Sequence, residues 1–121
     1  MKILLAIGAG SFIGGVCRFL LSQFIHAKFP SSFPFGTFAV NIIGCLLIGG
    51  VYDLFLKNSL SNDWKLFLAT GILGGFTTFS AFSFETVELL KNGKLSYAVM
   101  YVCASVVVGL TATFIGWHYA K

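Results

Sequence analysis

Charged residues are scarce in this sequence of 121 residues. Asp, Glu, Lys and Arg make up 10% of it and hydrophobic residues 57%, with a mean hydropathy of +0.90. Roughly a quarter of an average soluble domain is charged, so a water-soluble fold could not bury this much apolar surface. The sequence also lacks a run of Lys or Arg, which argues against a nucleic-acid partner. We therefore predict a protein of the lipid bilayer, whose scattered basic residues act as interfacial anchors and topology signals.

Cysteines are few and unpaired. Cys17, Cys45 and Cys103 lie singly inside apolar segments. They lack the paired spacing that marks a metal site or a disulfide framework. We interpret them as small buried hydrophobic side chains.

Long apolar runs dominate what is present. A bilayer core about 30 Å thick needs a helix of about 20 residues, so the chain has room for about four spans and short turns but for no separate soluble domain. The runs are too long and too continuous for membrane barrel strands. We predict one all-α transmembrane domain over residues 1–121, with helices at about 3–25, 36–56, 64–90 and 95–120. The first run lacks a small-residue cleavage site and is interpreted as a mature helix.

Three polar stretches separate these helices. Pro30 and Pro34, the only two prolines, lie between the first two runs and prevent the helix from continuing. A polar connector at residues 57–63 follows the second run, and a turn at residues 91–94 follows the third.

The centre of the third segment carries the most informative residues. Gly74 and Gly75 are followed by the β-branched Thr77 and Thr78 near the middle of the span, and this order weakens a helix locally. A helix broken at the bilayer midplane can coordinate a cation through unwound carbonyls. The alternative is an unbroken helix with packing glycines and hydroxyls bonded to their own backbone. The residues alone leave both interpretations open.

An anion path is one interpretation of the neighbouring residues. Phe79 and Phe82 share a helix face, with Ser83 beside them, and the positive edges of phenyl rings can stabilise a small anion. Such phenylalanines more often face lipid or a core. Asn41 lies in the second segment, where an amide is either a bond between helices or a pore residue.

Other polar positions are equally open. Ser105, Gly109 and Thr113 follow one another at intervals of four residues and so form one line on the fourth helix. This line is either a polar track or a seam of helix packing, and the spacing slightly favours the seam. Arg18 and Glu85 fall in the same half of the bilayer, where they could share a water-filled vestibule or pair with each other, unless Arg18 extends to the interface.

Basic residues are almost balanced between the two sides of the predicted topology. One side carries Lys2, Lys57, Lys65 and Lys121, and the other carries Lys28, Lys91 and Lys94. Orientation follows the Lys/Arg difference between the sides, so we expect both orientations to coexist.

Three motifs together resemble the Fluc (CrcB-type) family of fluoride ion channels. They are residues 10–19 (GSFIGGVCRF), 34–44 (PFGTFAVNIIG) and 74–85 (GGFTTFSAFSFE). The resemblance implies a channel, not an enzyme, that exports fluoride passively across the cytoplasmic (inner) membrane and protects against fluoride toxicity. It also implies an antiparallel, dual-topology homodimer with two pores.

The resemblance implies roles for individual residues. Asn41 would be the pore amide, and Phe79 and Phe82 the rings that line the path. Hydroxyls along the path would come from Ser80, Ser83 and Thr113. The carbonyls of Gly74 and Thr77 would hold one structural Na⁺ ion at the dimer centre.

The resemblance also concerns three further positions. Arg18 matches the arginine of the family's first helix, and Glu85 matches an acidic residue of some members. Gly109 departs from the hydroxyl expected in some relatives, which would shift the track toward Ser105 or Thr111.

Two other functions were weighed. A proton-coupled exporter of the small multidrug resistance class also has four helices, but it needs a membrane-buried carboxylate where the first helix here has Arg18. A non-conducting accessory subunit would explain the packing glycines, but not the Thr, Ser and Phe cluster at residues 77–83.

Overall fold

The computed structural model describes residues 1–56 and 61–120, and within them every regular element is a helix. The elements are α1 (Lys2–Lys28), α2 (Phe35–Leu56), α4 (Phe79–Lys91) and α5 (Leu95–Ala120). Between α2 and α4 lies α3 (residues 62–76), which joins Asn62–Lys65, the π-helix Leu66–Leu73 and the short helix Gly74–Phe76. For these residues the all-α prediction is confirmed. The predicted connector residues 57–60 and Lys121 lie outside the described residues.

Three helical segments of the described residues are long and apolar enough to cross a bilayer. Lys2–Lys28, Asn62–Lys91 and Leu95–Tyr119 meet this criterion by length and composition, with mean hydropathies of 1.9, 1.4 and 2.1 over their most apolar windows. Phe35–Val51 is a shorter apolar helix within α2, which has 22 residues in all. The protein is a multi-pass membrane protein.

Helix ends differ from prediction where local signals were overlooked. α1 continues to Lys28 rather than Ile25, because nothing stops it before Phe29, whose N–H still bonds the Ile25 carbonyl. The third segment begins at Asn62 rather than Trp64, since the Ser61 hydroxyl caps it by accepting from the Trp64 N–H at 3.4 Å. Within the predicted span of 64–90 the helix is interrupted, because residues 77 and 78 are not helical.

The turn between α4 and α5 depends on one glycine. Gly93 has a φ of +74°, a conformation that side chains with a Cβ rarely adopt. Its N–H bonds the Leu90 carbonyl, and the Lys94 N–H bonds the Leu89 carbonyl. This C-terminal cap turns the chain sharply from α4 into α5.

Glycines bring two pairs of helices into backbone contact. At Gly14 of α1 an added methyl group would overlap the Ile72 carbonyl of α3, and at Gly75 it would lie 2.5 Å from the Ser11 carbonyl. Between α2 and α5, Gly49 meets the Thr113 carbonyl in the same way. Close backbone approach of this kind is how helices pack in lipid.

An aromatic cluster forms the buried core at one end. Phe33, Leu89, Ala98 and Tyr101 are buried together, and Tyr101 is completely inaccessible. The Phe33 and Tyr101 rings lie 5.5 Å apart in an edge-to-face arrangement. The cluster ties the loop before α2 to α4 and α5.

The prediction that the cysteines are buried is wrong for two of them. Cys17 and Cys103 are exposed, and Cys45 is partly buried. A helix of a small bundle buries only one side, and its outer side needs only to be apolar in lipid.

Polar contacts group the ends of the helices. Lys2 lies 3.6 Å from the Asp63 carboxylate, which brings the amino terminus to the start of α3. At the other end, the Lys94 ammonium donates to the Ser32 hydroxyl at 2.7 Å. The loop after α1 therefore meets the turn before α5.

Candidate functional site

The third segment is interrupted at Thr77 and Thr78. Both residues have extended backbone, with φ/ψ of −87°/155° and −149°/121°. The Thr77 hydroxyl and N–H each donate to the Leu73 carbonyl at 3.0 Å. Of the two interpretations left open by the sequence, the structure has the broken helix. The hydroxyl of Thr77 still bonds its own backbone, as the other interpretation expected.

Asn41 of α2 pairs with the main chain of the interruption. Its Oδ1 accepts from the Thr78 N–H at 2.9 Å, and its Nδ2 donates to the Thr78 carbonyl at 3.2 Å. Both main-chain groups of an extended residue are thus satisfied by a single side chain. Asn41 therefore bonds α2 to the interruption, and one N–H of its amide remains for another acceptor.

Thr78 begins the next helix with its side chain. Its hydroxyl accepts from the Ala81 N–H at 3.2 Å and lies 3.2 Å from the Ser80 hydroxyl. This is an N-cap, which satisfies one of the donors that open the first turn of α4.

The bonds to Asn41 and to the Thr78 hydroxyl use N–H groups that would otherwise donate to main-chain carbonyls of the same helix. An uninterrupted α-helix would direct the Thr78 N–H to the Gly74 carbonyl and the Ala81 N–H to the Thr77 carbonyl. The first N–H goes to Asn41 and the second to the Thr78 hydroxyl. The two carbonyls named as cation ligands by the resemblance are those whose helical donors are diverted.

A cavity of about 460 Å³ lies against the interruption. Asn41 and Ser105 bring polar side chains to it from α2 and α5, and Phe79 and Phe82 bring rings from α4. Its other lining residues are Gly44, Cys45, Ile48, Ala69, Leu73, Gly74, Thr77, Thr78 and Val106. Four of the predicted path residues therefore share one cavity with both predicted carbonyl residues.

The two phenylalanines differ in their surroundings. Their ring centroids are 5.6 Å apart, as expected from one helix face. Phe82 packs on Tyr101, with centroids 4.9 Å apart, whereas Phe79 is 79% exposed. The exposed Phe79 ring lines the cavity beside the interruption. In the single chain, the cavity is therefore open on the side of this ring.

Arg18 and Glu85 have separate partners. The Arg18 Nε donates to the Gly75 carbonyl at 3.3 Å. The Glu85 carboxylate accepts from the Thr37 hydroxyl at 3.0 Å and from the Tyr101 hydroxyl at 3.3 Å. Among the described residues the two charges do not pair with each other, one of the predicted alternatives, and each bonds other groups.

Sequence reasoning missed Thr37 and Tyr101. Thr37 precedes Asn41 by four residues, so it lies on the same face of α2, and that spacing was the available signal. Tyr101 is fully buried and carries a hydroxyl that needs a partner, but no local pattern links it to Glu85.

Glu85 also lines a second cavity of about 350 Å³ at the loop end of the chain. The other residues around it are His26, Ser31, Ser32, Pro34, Glu88, Leu89, Asn92 and Lys94. The Tyr101 hydroxyl donates to Glu85 of this cavity, and the Tyr101 ring packs on Phe82 of the larger one.

The remaining predicted hydroxyls are spread out. Ser80 bonds Thr78, and Ser83 is exposed on α4. On α5, Thr113 packs against Gly49, and Thr111 is exposed and bonds the Val107 carbonyl at 2.7 Å. None of these four lines the larger cavity.

Gly109 of α5 belongs to a packing seam. It is buried, and a methyl group added there would lie 3.5 Å from the Cys45 sulfur and 3.8 Å from the Ile42 side chain. At this position the seam interpretation holds, since the glycine faces α2.

In the described part of the chain, no group of three or more His, Cys, Asp or Glu side chains is arranged to hold a metal ion. The cation ligands that the resemblance names at the interruption are main-chain oxygens. Carbonyl oxygens are suitable ligands for a hard cation.

Comparison with known proteins bears directly on this arrangement. The family model described as "CrcB-like protein, Camphor Resistance (CrcB)" matches residues 5–117. The chain belongs to the CrcB-like family. It is 46% identical to a protein of Phocaeicola vulgatus over 96% of both chains. It is 43% identical to one of Chlorobium phaeobacteroides over 98% of this chain and 92% of the relative. Both relatives are named fluoride-specific ion channel FluC.

The three motifs of this CrcB-like chain converge on one place. Residues 10–19 supply Gly14 and Arg18, which contact the α3 backbone before the break. Residues 34–44 supply Asn41, and residues 74–85 form the break and the phenylalanine pair. The predicted family is confirmed, and its sequence signature surrounds the interruption.

Proposed function

We propose that this chain is a fluoride-specific ion channel of the cytoplasmic membrane, which exports fluoride passively and protects the cell against fluoride toxicity. The observation that carries the proposal is the match to FluC relatives at 46% and 43% identity over nearly the full length of the chain. A further FluC relative from Helicobacter pylori is 42% identical over 93% of this chain. These relatives are named as channels, and the protein is not an enzyme.

The fluoride path would pass the larger cavity. The remaining N–H of Asn41 and the Ser105 hydroxyl can donate hydrogen bonds to an anion there, and the Phe79 and Phe82 rings can offer polarised edges. Ser80, Ser83 and Thr113 would supply hydroxyls further along the path. Weak, distributed donors favour conduction, because an ion that binds too tightly cannot leave.

Two chains in opposite orientations would complete the path. The open cavity wall and the 79% exposure of Phe79 leave room for a partner at the interruption. The near balance of basic residues permits both orientations in one membrane. We therefore propose an antiparallel homodimer with two pores.

One Na⁺ ion would lie at the centre of this dimer. The carbonyls of Gly74 and Thr77 have lost their helical donors to Asn41 and Thr78, which leaves them suited to a cation. Two chains related by a twofold axis would bring four such oxygens together. Arg18 and Glu85 would form the polar vestibule, each anchored by its own bonds.

Flux in liposomes tests the function directly. Purified protein should pass fluoride and hardly any chloride, because the path combines few donors with phenyl edges in a narrow space. Ion-selective electrodes for both anions would measure the two fluxes. Chloride flux comparable with fluoride flux would contradict the proposal, and proton-coupled cation export would favour a multidrug exporter instead.

A further inference from the structure

The interruption of the third segment depends on bonds from outside it. Peptide groups freed from a helix inside a membrane need new partners, since lipid supplies none. At Thr78 both groups are satisfied by Asn41, which is 37 residues away on α2. The break is therefore held by tertiary contacts as well as by its own sequence.

The geometry of the Asn41 amide fits this role closely. An extended residue points its N–H and carbonyl to the same side, and a carboxamide offers one acceptor and one donor at matching spacing. Asn41 thus replaces the strand neighbour that Thr78 would have in a sheet. A shorter hydroxyl side chain or a carboxylate cannot make both bonds.

We propose that Asn41 is a positioning residue that anchors the interruption to α2 by capturing both main-chain groups of Thr78 while it lines the cavity. The inference rests on the proposed function for the statement that this cavity belongs to the ion path. It assigns Asn41 a second task beside donation to an anion. One side chain then joins the cavity wall to the main chain of the interruption.

Neighbouring bonds favour the interrupted conformation even without Asn41. Closure would direct the Phe79 N–H to the Gly75 carbonyl, which is already held by the Arg18 Nε. It would also cost the cap between the Thr78 hydroxyl and the Ala81 N–H. Loss of Asn41 should therefore leave the Thr78 N–H without its protein partner.

Amide-resolved hydrogen exchange of the full chain in micelles, without fluoride, tests the proposal. In the parent protein the Thr78 amide should exchange about as slowly as the adjacent Thr77 amide, which bonds the Leu73 carbonyl. Asn41→Ala should speed exchange at Thr78 about tenfold or more. Asn41→Asp should speed it less than Asn41→Ala does, because a carboxylate oxygen still accepts from the Thr78 N–H although it cannot donate to the Thr78 carbonyl.

Controls separate this effect from general loosening. Cys45→Ala removes another side chain of the same cavity and should leave the Thr78 amide at the parent rate. The Tyr101 amide in the core should be unchanged in every variant.

Several results would overturn the proposal. An unchanged Thr78 rate in Asn41→Ala would do so, as would equal acceleration in Asn41→Asp. If Asn41→Ala does not fold, a parent Thr78 amide that exchanges about tenfold faster than Thr77 would be decisive against it. Absence of fluoride flux in liposomes would instead contradict the proposed function and leave the exchange result standing.

Discussion

At the scale of residues, the site consists of side chains that satisfy main-chain groups of another helix. Asn41 bonds Thr78, and Arg18 bonds Gly75. Glu85 is satisfied by Thr37 and Tyr101 instead of by a basic residue. Polar side chains at membrane depth are costly unless bonded, so each of these has a structural partner as well as any role in conduction.

Two substitutions test the proposed path at this scale. Asn41→Asp and Phe82→Ile should each reduce fluoride flux in liposomes about a hundredfold or more, since one adds a repelling charge and the other removes a polarised ring. Both proteins should still elute as dimers.

The matched control for the ring is Phe84→Ile. Phe84 is on the same helix, is 68% exposed and lines neither cavity. It should conduct within about twofold of the parent, because its ring lines neither cavity. If the Phe82 variant also conducts normally, its ring only packs against Tyr101.

At the scale of elements, α3 is placed by its close contact with α1. Gly14 and Gly75 leave no space for a side chain between the two backbones. The π-helix Leu66–Leu73 lies in this contact, and π-helical turns are frequent next to functional sites. The contact fixes the chain just before the interruption.

Neighbouring glycines of α1 provide a matched pair for this contact. Gly14→Ala should destabilise the protein by about 1–3 kcal/mol, because its methyl group would overlap the Ile72 carbonyl. Gly15→Ala should be neutral or slightly stabilising, since nothing lies within 4 Å of the added methyl group. Denaturation in detergent, followed by circular dichroism, would compare the two. Equal stability of the variants would mean that α1 and α3 do not approach so closely.

At the scale of the whole molecule, the proposed dimer depends on the orientation of each chain and on a sodium ion between the two chains. The contact between Lys2 and Asp63 and the contact between Lys94 and Ser32 group the helix ends on two sides, as the charge count assumed. Lys57 and Lys121 lie outside the described residues. The proposed dimer would join the two interruptions at one depth.

Sodium should stabilise the assembled protein. If four carbonyls of Gly74 and Thr77 bind one ion, the melting temperature should rise with sodium concentration more than with N-methylglucamine at equal ionic strength. Static light scattering would check that the dimer persists. Identical melting temperatures in the two salts would argue against a central sodium site.

Orientation can be biased by added charge. Two lysines added at either end of the chain should force one orientation, because orientation follows the Lys/Arg difference between the two sides of the membrane. Expressed alone, each biased variant should export less fluoride from cells, and co-expression of oppositely biased variants should restore export. Full activity from one fixed orientation would exclude the antiparallel dimer.

The sequence by itself determined the membrane character, the helical class, the family and the weak point near Thr77. These follow from apolar run length, composition and local propensity, which act within a few turns of the chain. It did not determine the partners of Arg18, Glu85 and Asn41. The Asn41 bonds span 37 residues and the Arg18 bond spans 57.

Only the tertiary structure decided how the weak point is used. Glycine and threonine lower the free-energy cost of interrupting the helix, but an uninterrupted helix would satisfy the same peptide groups locally. Packing of α1 and α2 against the third segment brings Arg18 to Gly75 and Asn41 to Thr78, and these bonds compensate the broken ones. Contacts between distant residues depend on how the helices assemble, which no local pattern specifies.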